Sequence, residues 1–307
     1  MTLQNIHLIG VPMDAGKARR GCVMGPDAYR TAGLAEALRD LGHVVEDKGN
    51  VMPGAFDDTP HPHLHALGET IAWTKALSQA PESARATSLP IIMGGDHALA
   101  LGTVHGAAAY AASAKRPLFV LWLDAHTDYH TPQTTASGNL HGTPMGYLTG
   151  RSGFDGFPAV PNPIPHDRIA MLGLRSVDRQ ERAALQDTDV AYIDMRHIDE
   201  HGIAKPLSAF LDRVAAANGL LHVSLDVDFL DPSVAPAVGT TVPGGATIRE
   251  GHLVMEMICD SGLMTSLDLV ELNPFLDERG RTAQAMVDLP ASAFGRRVFD
   301  RPTRAYS

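Results

Sequence analysis

The sequence predicts an α/β fold in a single domain spanning residues 1–307, with a mostly parallel sheet and helices on both faces. Two observations carry this expectation. Apolar runs of strand length recur along the chain and stop at Gly, Asp or Glu. Between many of them lie helix-length stretches that bring their own start and stop residues. Continuous rather than alternating apolar character marks strands buried on both faces, as in a parallel sheet with helical crossovers.

The elements follow in chain order. Ile6-His7-Leu8-Ile9 reads as a strand that stops at Gly10-Val11-Pro12. Pro26 opens a helix in which Leu34, Leu38 and Leu41 share a face and Gly42 supplies the stop. The run from Leu89 to Met93 is a strand ending at Gly94-Gly95, and an Ala-rich helix follows from His97 to Ala112. Strands at Leu118 to Leu123 and Ile169 to Leu172 end at Asp124 and Gly173. Pro206 opens a helix carrying Leu207, Phe210, Leu211 and Val214, closed by Gly219. The last two strands, Leu221 to Leu225 and Leu267 to Val270, end at Asp226 and Glu271. The Pro-rich stretches 51–62 and 157–165 read as ordered surface loops, too short to be linkers, and no internal repeat divides the chain.

Composition narrows the class. Hydrophobic residues at 44% and charged residues at 20% exclude a disordered, collagenous or coiled-coil chain. No apolar run approaches the roughly 18 residues of a membrane helix, and Met1 to Asn5 shows no basic region of a secretory signal. Two cysteines, Cys22 and Cys259, rule out a disulfide framework or a thiolate zinc site and suit a reducing cytoplasm. With 25 Lys and Arg against 35 Asp and Glu, the net charge is −10. That balance argues against nucleic acid or an anionic membrane as partner and is compatible with a cationic substrate.

The chemistry concentrates at the strand ends. Asp124-Ala125-His126-Thr127-Asp128 follows one strand and Ser224-Leu225-Asp226-Val227-Asp228 closes another. In extended backbone, residues two apart point to one side, so each group can converge on a point. Gly94-Gly95-Asp96-His97 adds a histidine at a third strand end. A single Asp-x-Asp is usually a solvated turn. Three such groups at the carboxyl edge of a parallel sheet are different, because ligands bind there. Four carboxylates (Asp124, Asp128, Asp226, Asp228) and two imidazoles (His97, His126) are too many donors for one ion and suit two. Hard oxygen donors without thiolate favour manganese or magnesium.

These three motifs resemble the metal signatures of the ureohydrolases. Within that superfamily the run Thr134 to Gly142, the segment Val242-Pro243-Gly244-Gly245-Ala246-Thr247 and Glu271-Leu272-Asn273-Pro274 resemble the arginases, collinearly from about Gly10 to Pro274. The resemblance implies an enzyme with two Mn²⁺ per chain that hydrolyses L-arginine to L-ornithine and urea by a metal-bridging hydroxide. It implies a homo-oligomer, trimer or hexamer. Residue by residue, it places His97, Asp124, Asp128 and Asp228 on one ion or bridging, and His126, Asp124, Asp226 and Asp228 on the other. It makes His141 the proton shuttle, Glu271 the carboxylate that orients the guanidinium, and Asp128 the acceptor of a hydrogen bond from the nucleophile. Ser137 and Asn139 then recognise the α-carboxylate, Asp178 and Glu181 lie near the α-amino group, and Thr247 lines the guanidinium end.

Two positions depart from the family pattern: His130 stands where Asn is usual, and Ser176 where Asp is usual. Both fall at the amino-acid head, so His130 joins the substrate-binding candidates, and a ureohydrolase acting on agmatine or guanidinobutyrate is the nearest rival. A non-catalytic relative would have lost a ligand or the shuttle, and this chain keeps all of them. The run His61-Pro62-His63-Leu64-His65 looks metal-like, yet its prolines and lack of carboxylates favour a solvated loop.

Overall fold

The computed structural model describes residues 3–79 and 88–297; Met1 and Thr2 lie outside them. Eight strands form one all-parallel sheet: β1 (Asn5–Val11), β2 (Val44–Asn50), β3 (Leu89–Gly94), β4 (Leu118–Leu123), β5 (Ile169–Leu174), β6 (Ala191–Asp194), β7 (Leu220–Asp226) and β8 (Met264–Val270). Their spatial order is β2-β1-β3-β8-β7-β4-β5-β6. The four central strands, β3, β8, β7 and β4, therefore lie side by side, and these are the strands that end in the candidate residues.

The apolar runs behave as a doubly covered sheet requires. In β4, Phe119, Leu121 and Leu123 join one hydrophobic cluster, while Leu118, Val120 and Trp122 join the other. Successive side chains point to opposite faces, so only an unbroken apolar run satisfies both. One face is covered by α1 (Gly25–Thr31), α2 (Leu34–Arg39), α7 (Met195–His201), α8 (Ala204–Ala216), α9 (Ile248–Ser261) and α10 (Arg281–Ala293). The other is covered by α3 (Leu67–Gln79), α4 (Ala100–Ser113), α5 (Pro144–Leu148) and α6 (Arg179–Leu185).

Three details differ from the sequence expectation. The helix expected from Pro26 to Leu41 is two, broken at Gly33, which adopts φ 85°. A glycine takes that left-handed conformation without penalty, and it turns the chain between α1 and α2. The stretch from His97 begins as a 3₁₀ turn over His97–Leu99 before α4 starts at Ala100. The edge strands β2 and β6 were not expected, because exposed Glu46, Asp47, Lys48 and Tyr192 break the apolar run that marks a buried strand. No helix among the described residues is long and apolar enough to cross a membrane.

Candidate active site

Each central strand delivers its polar group at its carboxyl end. Beyond β3, Gly95 lets the backbone pass against the Met13 carbonyl, which a Cβ would meet at 1.8 Å. Asp96 then caps the 3₁₀ turn, accepting from the Ala98 N–H at 2.9 Å and from the Gly16 N–H at 2.7 Å. Its carboxylate is structural, and His97 is the residue turned inward. The His97 ring stacks on Trp122 of β4 with centroids 4.1 Å apart, and its Nε2 meets Ser224 Oγ at 2.8 Å. Nδ1 is thereby left facing Asp124 Oδ2 and Asp226 Oδ2 at 3.0 Å each and Asp128 Oδ2 at 3.1 Å.

A second group adjoins the first. His126 Nδ1 lies 3.0 Å from Asp228 Oδ2 and 3.4 Å from Asp124 Oδ1. Asp124 thus turns one oxygen to each histidine. Asp228 Oδ1 accepts from the Ala125 N–H at 3.0 Å, tying the turn after β7 to the turn after β4. This geometry reverses part of the expected ligand split: Asp226, not Asp228, faces His97. Asp226 is the last residue of β7, whereas Asp228 lies in the following 3₁₀ turn, which redirects its carboxylate toward His126.

The electrostatics of the pocket favour positive charge. Four carboxylates, all under 9% exposed, share it with two imidazoles. Burial and the charges of Asp228 and Asp124 raise the Asp226 carboxyl well above its usual range, and burial with the Asp124 charge pushes Asp128 up to about 6. Burial works against protonated His126, but the charges and hydrogen bonds of Asp228 and Asp124 outweigh it and hold the ring up at about 12. His97 Nδ1 and Asp124 Oδ2 are buried without a hydrogen-bond partner. Buried polar atoms without partners are rare, and buried charges cost several kcal/mol unless compensated. His97–Asp124–Asp226 and Asp124–His126–Asp228 each bring their donor atoms within 4.8 Å of one another, as shared ligands of divalent cations would. The donor set fits two such ions.

Glu271, at the end of β8, adopts φ 66°, and Asp128 adopts φ 45°. Both are sparsely populated conformations for such residues, of the kind that concentrates at functional sites. Glu271 Oε1 accepts from the His97 N–H at 2.9 Å and lies 3.1 Å from His141 Nδ1, while Oε2 pairs with the buried ammonium of Lys17. Burial opposes the charge, but Lys17 and His141 hold the Glu271 carboxyl well below its usual range, so it stays ionised.

His97, His126, the four aspartates, His141 and Glu271 line one cavity of about 340 Å³ together with Ser137, Asn139, Ser176, Asp178 and Glu181. His130 Nε2 sits 3.0 Å from Asp178 Oδ2 and 3.7 Å from Glu181 Oε2. Asp178 and Glu181 form the capping box that opens α6, and Glu181 Oε1 also accepts from the Tyr129 N–H at 2.8 Å. Thr247 is placed differently from the expectation. It is the N-cap of α9, with its hydroxyl bonded to Glu250, and the threonines in the cavity wall are Thr135 and Thr240. Lys17 was not expected either, because a lone lysine in a loop carries no spacing signal.

An all-parallel sheet with two His/Asp groups along its carboxyl edge defines an α/β enzyme scaffold built to hold divalent cations. Comparison with known proteins makes this specific. The model of the Arginase family matches residues 4–295, and the chain belongs to that family, whose members are hydrolases of the ureohydrolase superfamily. The chain is 60% identical over 302 residues to arginase from Brucella melitensis, covering 97% of this chain and 99% of that protein. It is 37% identical over 298 residues to arginase from Bacillus subtilis, covering 96% and 99%. Among solved structures, arginase from Bacillus caldovelox superposes with a TM-score of 0.87 at 36% identity, covering 96% of this chain and all of the other. Entamoeba histolytica arginase in complex with L-ornithine superposes with a TM-score of 0.88 at 26% identity, again covering 96% of this chain.

Proposed function

We propose that this protein hydrolyses L-arginine to L-ornithine and urea, using two manganese ions held by His97, Asp124, Asp128, Asp226, His126 and Asp228. The observation that carries the reading is the single cavity in which Asp124 is shared between two histidine groups while ionised Glu271 faces the same space. When bound, the cation pair supplies Lewis acidity that makes a water nucleophilic near neutral pH.

The protein's own residues do the rest. Glu271 is an ionised, nearly buried acceptor, suited to hold a guanidinium by charge-assisted hydrogen bonds and fix its carbon against the metal-ligand aspartates. Asp128 accepts a hydrogen bond from the attacking water. His141 keeps Nδ1 toward Glu271 and uses Nε2 to pass a proton to the departing amine. Ser137 and Asn139 take the substrate α-carboxylate, and Asp178 with Glu181 takes the α-ammonium. His130 bridges those two acids and sets their spacing.

The same reading takes the working form to be a cytoplasmic homo-oligomer, a trimer or hexamer, for which the two free cysteines suit a reducing compartment. Metal analysis coupled to urea release tests the function. About two manganese ions per chain at full activity with arginine is the expected result, and full activity in a rigorously metal-free preparation contradicts it.

A further inference from the structure

The His61–His65 run, which the sequence presents as a solvated loop, reaches the far side of the turn that presents Ser137 and Asn139. His63 Nε2 lies 2.6 Å from the Thr135 carbonyl oxygen. Two residues on, the His65 N–H donates to the Gly138 carbonyl at 2.9 Å. One short segment therefore grips both shoulders of the 135–138 turn.

The grip is built for close approach. Gly138 adopts φ 75°, and a Cβ there would stand 2.1 Å from the His63 carbonyl oxygen, so only glycine lets the two backbones meet. The 61–65 segment is itself fixed. His61 Nδ1 accepts from the N–H groups of His63 at 3.1 Å and Leu64 at 2.9 Å, closing its turn as an Asx side chain would. Leu64 is buried in the same hydrophobic cluster as Trp73 of α3. On the cavity side, Thr135 Oγ1 bonds Ser137 Oγ at 3.2 Å and the Asn139 carbonyl at 3.2 Å, and Ser137 Oγ accepts from the Asn139 N–H at 3.3 Å. Fixing the Thr135 carbonyl therefore fixes the residue that holds the Ser137 hydroxyl and the Asn139 backbone.

We propose that His63 is a positioning residue for carboxylate recognition: its Nε2–H holds the Thr135 carbonyl and, with the His65 backbone, latches the turn that carries Ser137 and Asn139. This rests on the reading that those two side chains take the substrate α-carboxylate. His63 touches neither substrate nor metal ligand. Its contribution is preorganisation, which cuts the ordering cost of binding rather than adding a contact. A neutral imidazole with its proton on Nε2 and an imidazolium both donate there, so the latch holds in either state.

The test uses full-length, manganese-loaded protein with arginine and with agmatine, which lacks the carboxylate. His63→Ala should raise KM for arginine about 2- to 10-fold, the worth of one neutral hydrogen bond. It should leave kcat for arginine, metal content and both constants for agmatine within twofold. His63→Gln, which offers an amide N–H in a similar place, should restore most of the arginine KM. Ser137→Ala is the control on the underlying reading and should narrow the gap between the two substrates by itself. If Ser137→Ala narrows that gap and His63→Ala does not, the latch is wrong while carboxylate recognition stands. If neither variant narrows it, the carboxylate role of the turn fails and the latch fails with it. Equal loss of kcat on both substrates in His63→Ala, or no rescue by His63→Gln, would mark the histidine as merely structural and overturn the proposal.

Discussion

His97 Nδ1 and Asp124 Oδ2 face each other at 3.0 Å, both buried and neither aligned for a hydrogen bond. Ser224 creates this arrangement by engaging the other ring nitrogen at 2.8 Å, which fixes the ring so that Nδ1 points at the carboxylates. Partners of this kind orient a ligating histidine, and their loss typically costs about 10- to 100-fold in metal affinity. Ser224→Ala should therefore weaken manganese binding at the His97 group by that factor, with the fold intact. Titration of chelator-treated protein with manganese, followed by urea release, checks it. Unchanged affinity would show that Trp122 stacking alone fixes the ring.

The buried charges predict how metal and pH interact. In the metal-free protein, burial and neighbouring aspartates raise Asp226 well above its usual range and Asp128 to about 6. A carboxyl raised in the folded state contributes stability that is complete below its unfolded value of about 3.9 and is lost as pH rises through the folded value. His126, held up at about 12 by Asp228 and Asp124 against burial, contributes stability that is complete below about 6.5 and is lost as pH climbs beyond it. All three signs run the same way. Cations take over the compensation of these aspartates, so the Tm difference between manganese-loaded and metal-free protein should widen from about pH 4.5 to 8.5, and loading should release protons. Calorimetry across that range, in buffers of different ionisation enthalpy, measures both. A difference that shrinks with rising pH would contradict the charge assignment.

His141→Ala should lower turnover by about 10²–10⁴-fold, the usual contribution of a positioned acid or base, with metal content retained. The wild-type rate should rise toward alkaline pH as the nucleophile ionises. Imidazole added to the variant should restore part of the rate. An unchanged kcat in the variant would move the shuttle to another residue, with His130 next in line.

Much of this site is legible in the sequence because the chemistry sits where the backbone rules are strict. A short unbroken apolar run bounded by Pro117 and Asp124, such as Leu118 to Leu123, fits a doubly buried strand, and the acids after it then emerge at the sheet's ligand-binding edge. The edge strands β2 and β6 escape the same logic because solvent accepts their polar side chains. The split of Asp226 and Asp228 between the two histidines depends on a 3₁₀ turn that alternation does not describe. Lys17 reaches Glu271 across 254 positions of sequence, a contact set by tertiary packing alone. Thr247 matches a family segment, and that match says nothing of the cap its hydroxyl makes with Glu250.

Substrate choice is where this chain's own residues matter most. Ser137 and Asn139 offer hydroxyl and amide groups at the cavity, and the turn that carries them is already ordered by Thr135. A substrate without a carboxylate leaves such donors dehydrated and unpaired. Hydrogen bonds to a charged group are each worth about 1.5–3 kcal/mol, so losing two should cost on the order of 10²–10⁴ in kcat/KM. Arginine should therefore exceed agmatine by that margin, with the loss showing at least partly in KM. At the ammonium end, Ser176 supplies no charge, and His130 already lies 3.0 Å from Asp178. The α-amino group is thus held by fewer free acceptors than the carboxylate by donors, and 5-guanidinopentanoate, which is arginine without its α-amino group, should be penalised less than agmatine. His130→Asn should be tolerated, because Asn is the residue usual in the family at this position. Urea release from the three compounds under matched manganese decides the matter. If agmatine is hydrolysed as efficiently as arginine, the turn from Thr135 to Asn139 does not read a carboxylate, and the enzyme acts on a different guanidino compound.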